Sequence, residues 1–193
     1  VAPWVLQFMA RYPDVLIDLD LNDRLVDMTH DGFDLAVRVG ILKDSTLRAR
    51  RLHQVRMLVC ASPDYLARRG TPETPDDLRR HQCLRFSQLT NISTWHYRDR
   101  AHHAGQVRVP VRALSSSGDF MREAATAGLG VILSPDFLVG PALRAGQLVA
   151  VLQDYEWYEV SPDVGVYLVF PPTQHRTRRV RVLADFLTER LAD

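Results

Sequence analysis

Four stretches of the chain place small hydroxyl or amide side chains where a helix is about to begin: Asn22-Asp23, Ser62-Pro63, Ser116-Ser117-Gly118 and Ser134-Pro135. The first N–H groups of a helix have no carbonyl partner within it and carry partial positive charge. Such a start can hold a carboxylate or phosphate, helped by a neighbouring hydroxyl. Each one alone is an ordinary cap, because Ser, Asn and Asp are the favoured capping residues. If several converge on one place, they make a polar site for an anion. That is binding chemistry rather than turnover.

Signals for turnover are missing. Gly128-Leu129-Gly130 lies after a helix pattern and before a strand pattern, the reverse of a dinucleotide fingerprint, and reads as a helix stop. The chain holds no Gly-x-Ser-x-Gly elbow, no Walker loop and no His-Glu-x-x-His helix. His102-His103, with His96 nearby, is the only histidine cluster, and no cysteine or spaced carboxylate completes a four-ligand set, so an exposed turn is expected and no metal. Cys60 and Cys83 lack CxxC spacing and sit among apolar residues, as buried free thiols do. Arg176, Arg178, Arg179 and Arg181 adjoin a complete apolar helical face and read as its solvated side, and Arg48, Arg50 and Arg51 are read with the same caution. Neither a catalytic residue nor a cofactor is expected.

The 193 residues are 46% hydrophobic, enough to bury a core as one large domain or two small ones. The net charge of +1, from 24 Lys and Arg against 23 Asp and Glu, gives no overall electrostatic footprint for nucleic acid. No apolar run is long enough to span a bilayer, and Val1-Ala2-Pro3-Trp4 lacks the features of a signal peptide, which points to the cytoplasm and away from membranes. The chain opens without Met, so a preceding domain or address signal has room to exist.

Periodicity supplies the elements. Val5, Phe8, Met9 and Tyr12 predict a helix stopped by Pro13. Val15, Ile17, Leu19 and Leu21 alternate as in a strand; a capped helix to Gly32 and a strand over Phe33 to Val39 follow, so a parallel α/β arrangement is expected. Leu47 to Ala61 reads as one long extended stretch. Ser62 caps a helix closed by Gly70, and Thr74 to Asp77 has capping-box spacing. Strands follow over Cys83 to Ser87, Trp95 to Arg98 and Gln106 to Val109. Helices start at Ser115 to Asp119 and at Ser134 to Asp136, the second interrupted near Gly140-Pro141, with strands at Val131 to Leu133 and Leu148 to Leu152. Val164 to Phe170 is a strong alternating strand, and Val180, Leu183, Leu187 and Leu191 mark a final helix.

Several of these segments, in order, resemble the effector-binding domain of LysR-type transcriptional regulators. They are Phe33-Asp34-Leu35-Ala36-Val37-Arg38-Val39-Gly40; Leu58-Val59-Cys60-Ala61-Ser62-Pro63-Asp64-Tyr65-Leu66; the start at Pro75 with Cys83-Leu84; Met121 to Val131; Ser134-Pro135; and Gly146-Gln147-Leu148. The resemblance implies an α/β fold of two Rossmann-like lobes joined by two crossing strands, like type 2 periplasmic binding proteins. Lobe I would be residues 1–61 and 164–193, and lobe II residues 62–163. It implies a small-molecule effector in the interlobe cleft and a homodimer or homotetramer. DNA binding is expected only of a parent protein, through an N-terminal winged helix-turn-helix absent from this sequence. The family's first strand has no counterpart here either.

Carried over by position, the resemblance places Asn22 and Asp23 at the first-lobe cleft edge, Arg38, Val39 and Gly40 at a strand end, and Ser62 at the crossing. From the second lobe it adds Phe86, Ser87, Ser117, Gly118, Asp119 and Pro135. Hydroxyls and helix N–H groups would suit the polar end of an organic or aromatic acid, Arg38 its charge and Phe86 its apolar body. A transporter's solute-binding protein is the alternative of the same fold, and an enzyme on that fold the third.

Overall fold

A computed structural model describes residues 1–22, 28, 30–41, 47–87, 93–171 and 177–191. In chain order the elements begin with α1 Ala2–Arg11, β1 Ala36–Gly40, β2 Arg48–Gln54, β3 Met57–Ala61, α2 Pro63–Arg69 and a 3-10 helix at Pro75–Arg80. Next are β4 Cys83–Phe86, β5 Thr94–Arg98, β6 Ala104–Arg108, β7 Val111–Ser115, α3 Gly118–Thr126 and β8 Val131–Pro135. The chain ends with α4 Asp136–Arg144, β9 Val149–Val151, β10 Glu156–Tyr158, β11 Gly165–Phe170 and α5 Arg178–Leu191. Two compact units result: Val1–Gln54 with Asp163–Asp193, and Val55–Pro162.

The first unit holds a three-stranded sheet in the order β1-β11-β2, antiparallel throughout rather than parallel as expected. Leu168 at the centre of β11 packs with Phe8 of α1 and with Ala184, Phe186 and Leu187 of α5. Phe8 meets Phe186 edge to face, with ring centroids 5.5 Å apart. The strand expected over Val15 to Leu21 does not form. Its alternation survives as burial only over its first half, Val15 and Ile17 lying against this core while Leu16 is 92% exposed and Leu19 and Leu21 are exposed too. A strand needs a hydrogen-bonded neighbour, and β1 pairs only with β11 among the described residues. Most of the helix expected before Gly32, including Asp23, lies outside the described residues.

Leu47 to Ala61 is two strands rather than one. β2 pairs with β11 in the first unit, and β3 pairs with β8, β9 and β10 in the second. Contacts therefore group Val55 to Ala61 with the second unit. There the sheet order is β6-β5-β10-β3-β8-β4-β7, with β9 beside β3. Alternate residues feed two cores. Val59, Cys83, Val131 and Leu133 pack with Tyr65, Leu78, Trp95 and Trp157. Cys60, Leu84 and Ile132 pack with Met121, Ala125 and Val139 of α3 and α4. Cys60 and Cys83 are therefore buried free thiols in different cores, separated across the sheet.

Capping follows the sequence closely. The Ser62 hydroxyl accepts from the Tyr65 N–H at 3.2 Å, and Asp77 closes the capping box with Thr74. The interruption expected in α4 does not occur, for the helix runs through Pro141. Pro141 cannot donate to Phe137, but Val139 and Ala142 on either side of it are buried and hold the helix to the sheet.

Candidate ligand-binding site

Strands β7, β4 and β8 run parallel, and their C-terminal ends fall level. Phe86 stands opposite Ser115, and Leu84 opposite Ile132, two residues short of Ser134. Phe86, Ser87, Ser115 to Asp119 and Ser134-Pro135 thus meet at one end of the second unit's sheet, where α3 and α4 begin. Open α/β sheets hold their ligands at such strand ends.

The hydrogen bonds there are specific. The Ser87 N–H donates to the Ser115 carbonyl at 2.9 Å, and the Ser117 N–H to the Ser115 hydroxyl oxygen at 3.0 Å. The Ser117 hydroxyl oxygen accepts from the Phe120 N–H at 3.2 Å, so Ser117 is the cap of α3. Its own hydroxyl hydrogen can still donate, because capping uses only a lone pair. Ser116, exposed beside it, has no side-chain partner among the described residues. Asp119 pairs with Arg122 at 2.7 Å on the helix surface. Gly118 packs closely under α4: a Cβ there would stand 2.9 Å from Leu138 Cδ2, so that side chain would have to shift. Pro135 precedes α4, whose first N–H, that of Asp136, donates to the Arg56 carbonyl at 2.8 Å.

Two residues at this end had no clear sequence signal, and a third, Ser134, belongs to the Ser134-Pro135 helix start read from the sequence. Phe120 and Phe137, in the first turns of α3 and α4, are 52% and 43% exposed and offer apolar surface beside the serines. The Ser134 hydroxyl is buried with no hydrogen-bond partner among the described residues. Periodicity assigns an aromatic to the apolar face of its helix, and only the packed helix shows these two outside the core.

Ser62 is not brought to this end. Register places it beyond Ala61, past the start of β8, about 17 Å along the sheet from Pro135. There it is buried beside Gly128, where an added Cβ would stand 3.3 Å from its hydroxyl oxygen. Arg38, Val39 and Gly40 end β1 in the first unit, opposite Tyr167, Val166 and Gly165 of β11. Asn22 is exposed in the same unit, and Asp23 lies outside the described residues.

Electrostatics single out one buried pair next to Phe86. Arg85 donates to Glu159 at 2.9 Å; burial lowers the pKa of the guanidinium and pushes the carboxyl up to about 7 despite the attraction between them. Elsewhere, His103 Nδ1 lies 3.1 Å from Asp99 on a surface turn, and the described residues include no cluster able to hold a metal. A cavity of about 340 Å³ lined by Arg69, Thr71, Glu73, Asp77, Arg80 and His81 sits beside the 3-10 helix. Its Asp77 and Arg80 are paired to each other, and it lacks an apolar wall.

Comparison with known proteins gives one answer throughout. The model of the LysR substrate binding domain matches residues 1–192. The chain is 33% identical over its full length to the HTH-type transcriptional regulator CrgA of Neisseria meningitidis serogroup B, covering 63% of that protein. It is 32% identical over 175 residues to an uncharacterized HTH-type transcriptional regulator of Haemophilus influenzae, covering 91% of this chain and 59% of that one. The CrgA regulatory domain structure superposes with TM-score 0.86 at 32% identity, covering 98% of this chain and 91% of that chain. Full-length AphB, a virulence activator of Vibrio cholerae, gives 0.79 at 29% identity, covering 97% of this chain and 62% of that one. The chain thus spans about three fifths of the length of the curated relatives it matches.

Proposed function

From the premise that this chain belongs to the LysR substrate binding domain family, we propose that it senses a small organic or aromatic acid for a cytoplasmic transcriptional regulator. The family is one of transcriptional regulators and not of enzymes, and its regulatory domains share the type 2 periplasmic-binding-protein fold expected from the sequence. Relatives with helix-turn-helix names favour regulation over the transporter alternative. No helix among the described residues is long and apolar enough to cross a membrane.

One observation supports the ligand class most: hydroxyls and the start of α3 gather with exposed aromatic rings at the C-terminal ends of three parallel strands. The Ser116 and Ser117 hydroxyls at the start of α3 would take a carboxylate. Phe86, Phe120 and Phe137 would cover an aromatic or aliphatic body. Asn22, Arg38, Val39 and Gly40 of the first unit are further ligand-binding candidates by family position. Effector binding would act by favouring one arrangement of a homodimer or homotetramer, and hence one mode of DNA contact by an N-terminal domain of the parent protein. That requires different affinities for the two states. The test is a thermal-shift screen of small carboxylic acids, followed by titration of the hits against Ser116→Ala and Arg38→Met. Weaker binding by Ser116→Ala supports the reading; unchanged affinity in both variants removes the proposed site.

A further inference from the structure

Arg85 is the one Asp, Glu, Lys or Arg side chain among the described residues that is fully buried, at 1% exposure. Strand alternation turns it to the Cys83 side of the sheet, while Leu84 joins the opposite core. There its guanidinium stands 5.7 Å from the centroid of the Trp95 ring and 2.9 Å from Glu159, itself 16% exposed. The Trp95 Nε1 is buried with no hydrogen-bond partner among the described residues. Burying such a pair is often no more stabilising than packing apolar side chains in its place, so its location matters more than its strength. Arg85 directly precedes Phe86 and Ser87, and Glu159 begins the last four residues before the chain leaves the second unit after Pro162.

We propose that the Arg85–Glu159 ion pair is a latch fastening the exit connection of the second unit, residues 159–162, to the end of β4 that carries Phe86 and Ser87. Its bearing on ligand binding rests on the site proposed above; the latch itself does not.

The pair's chemistry makes the latch sensitive to protons. Burial holds the Glu159 carboxyl at about 7, so it gains and loses its proton in the neutral range while Arg85 keeps its charge. Ionisation strengthens the attraction to Arg85 but leaves a desolvated carboxylate, and desolvation is the larger effect, so the closed latch holds its proton more tightly than a solvated Glu159 does. Other groups nearby do not compete. Cys83, on the same face, is held at about 12 and is uncharged, and Trp95 and Trp157 present only rings. His96 and Arg98 of β5, with Glu156 and Tyr158 of β10, alternate onto the other face.

Global stability and local closure move the same way with pH. Folded Glu159 keeps its proton to higher pH than the unfolded chain does. Its contribution is therefore full below the ordinary carboxyl pKa and is lost as pH rises toward 7. Local exchange reports this segment alone, whereas melting sums every titrating group. Amide exchange of Val160 and Ser161 in the whole chain, corrected for the intrinsic pH effect, should quicken by roughly tenfold from pH 6 to pH 8, because opening returns Glu159 to its ordinary carboxyl pKa. Glu159→Gln and Arg85→Met should each abolish that dependence. If neither variant folds, the carboxyl carbon shift of Glu159 in the wild type decides, with a midpoint near 7 expected. Flat exchange in the wild type, a pH dependence retained by Glu159→Gln, or a midpoint near 4 would overturn the latch. A ligand screen that finds nothing leaves these results unchanged, and normal ligand binding with flat exchange removes the latch alone.

Discussion

Residues 15–21 of the first unit and 131–135 of the second both carry strand-like apolar residues, yet only the second stretch is a strand. Val131 to Pro135 lies between β3 and β4, hydrogen-bonded on both sides, with Val131 and Leu133 in one core and Ile132 in the other. Val15 and Ile17 also face a core, but no strand forms and Leu16, Leu19 and Leu21 are exposed. Side-chain pattern selects a face; backbone pairing makes the strand.

The comparison implies that the second unit excludes solvent and reagents far better than the apolar stretch of the first. Burial pushes the Cys60 and Cys83 thiols up to about 12, which lowers their thiolate fraction about a thousandfold below that of an ordinary thiol. Native labelling with a thiol reagent should be correspondingly slow, and both should react fully in denaturant. Fast native labelling of either would show that the second unit opens readily.

Trp95→Ala tests the same packing by volume. The ring is fully buried against Trp157, with centroids 6.2 Å apart, and its removal should cost about 3–5 kcal/mol in urea unfolding. A loss below about 1 kcal/mol would mean that this core tolerates cavities and that the contrast between the units is overstated.

Much of this was legible in the chain because it is local. Ser62 and Gly70 bracket α2, Thr74 and Asp77 close a capping box, and Gly128 ends α3 in the left-handed region at φ 74°. These depend on neighbours in sequence, where single residues decide. Pairing across the sheet was not legible. It moves Ser62 away from Pro135, splits Leu47 to Ala61 between two sheets and brings Arg85 to Glu159, 74 positions later. The short β10 falls among Asp, Glu and Tyr residues that give little period-two signal, whereas β9 lies within the strand expected over Leu148 to Leu152.

The α3 start shows the same limit within three residues. The family position makes Ser117 a ligand-binding candidate, and its side chain is also the cap of α3. Ser117→Ala should therefore lose about 1 kcal/mol of stability by thermal melting, and should also weaken an acid ligand by about 1–3 kcal/mol if its hydroxyl donates to it. Ser116→Ala should melt as wild type does. A drop in melting for Ser116→Ala alone would return the capping role to Ser116.

The smallest effect is expected where the sequence pattern is most apolar and the structure least committed. Leu16 is 92% exposed in a stretch without backbone pairing among the described residues, so it gains almost nothing from burial in this unit. Leu16→Ser should change urea unfolding by no more than about 0.5 kcal/mol, the range of surface substitutions that touch no special feature. Ile17→Ser, one position on and packed against Phe8 and Leu168, should cost more, because it replaces buried apolar surface with a hydroxyl. The pair of variants separates two causes of the same alternation. If Leu16→Ser proves as costly as Ile17→Ser, the exposed face is covered in solution, and concentration-dependent unfolding of the wild type would show a second copy of the chain as the cover.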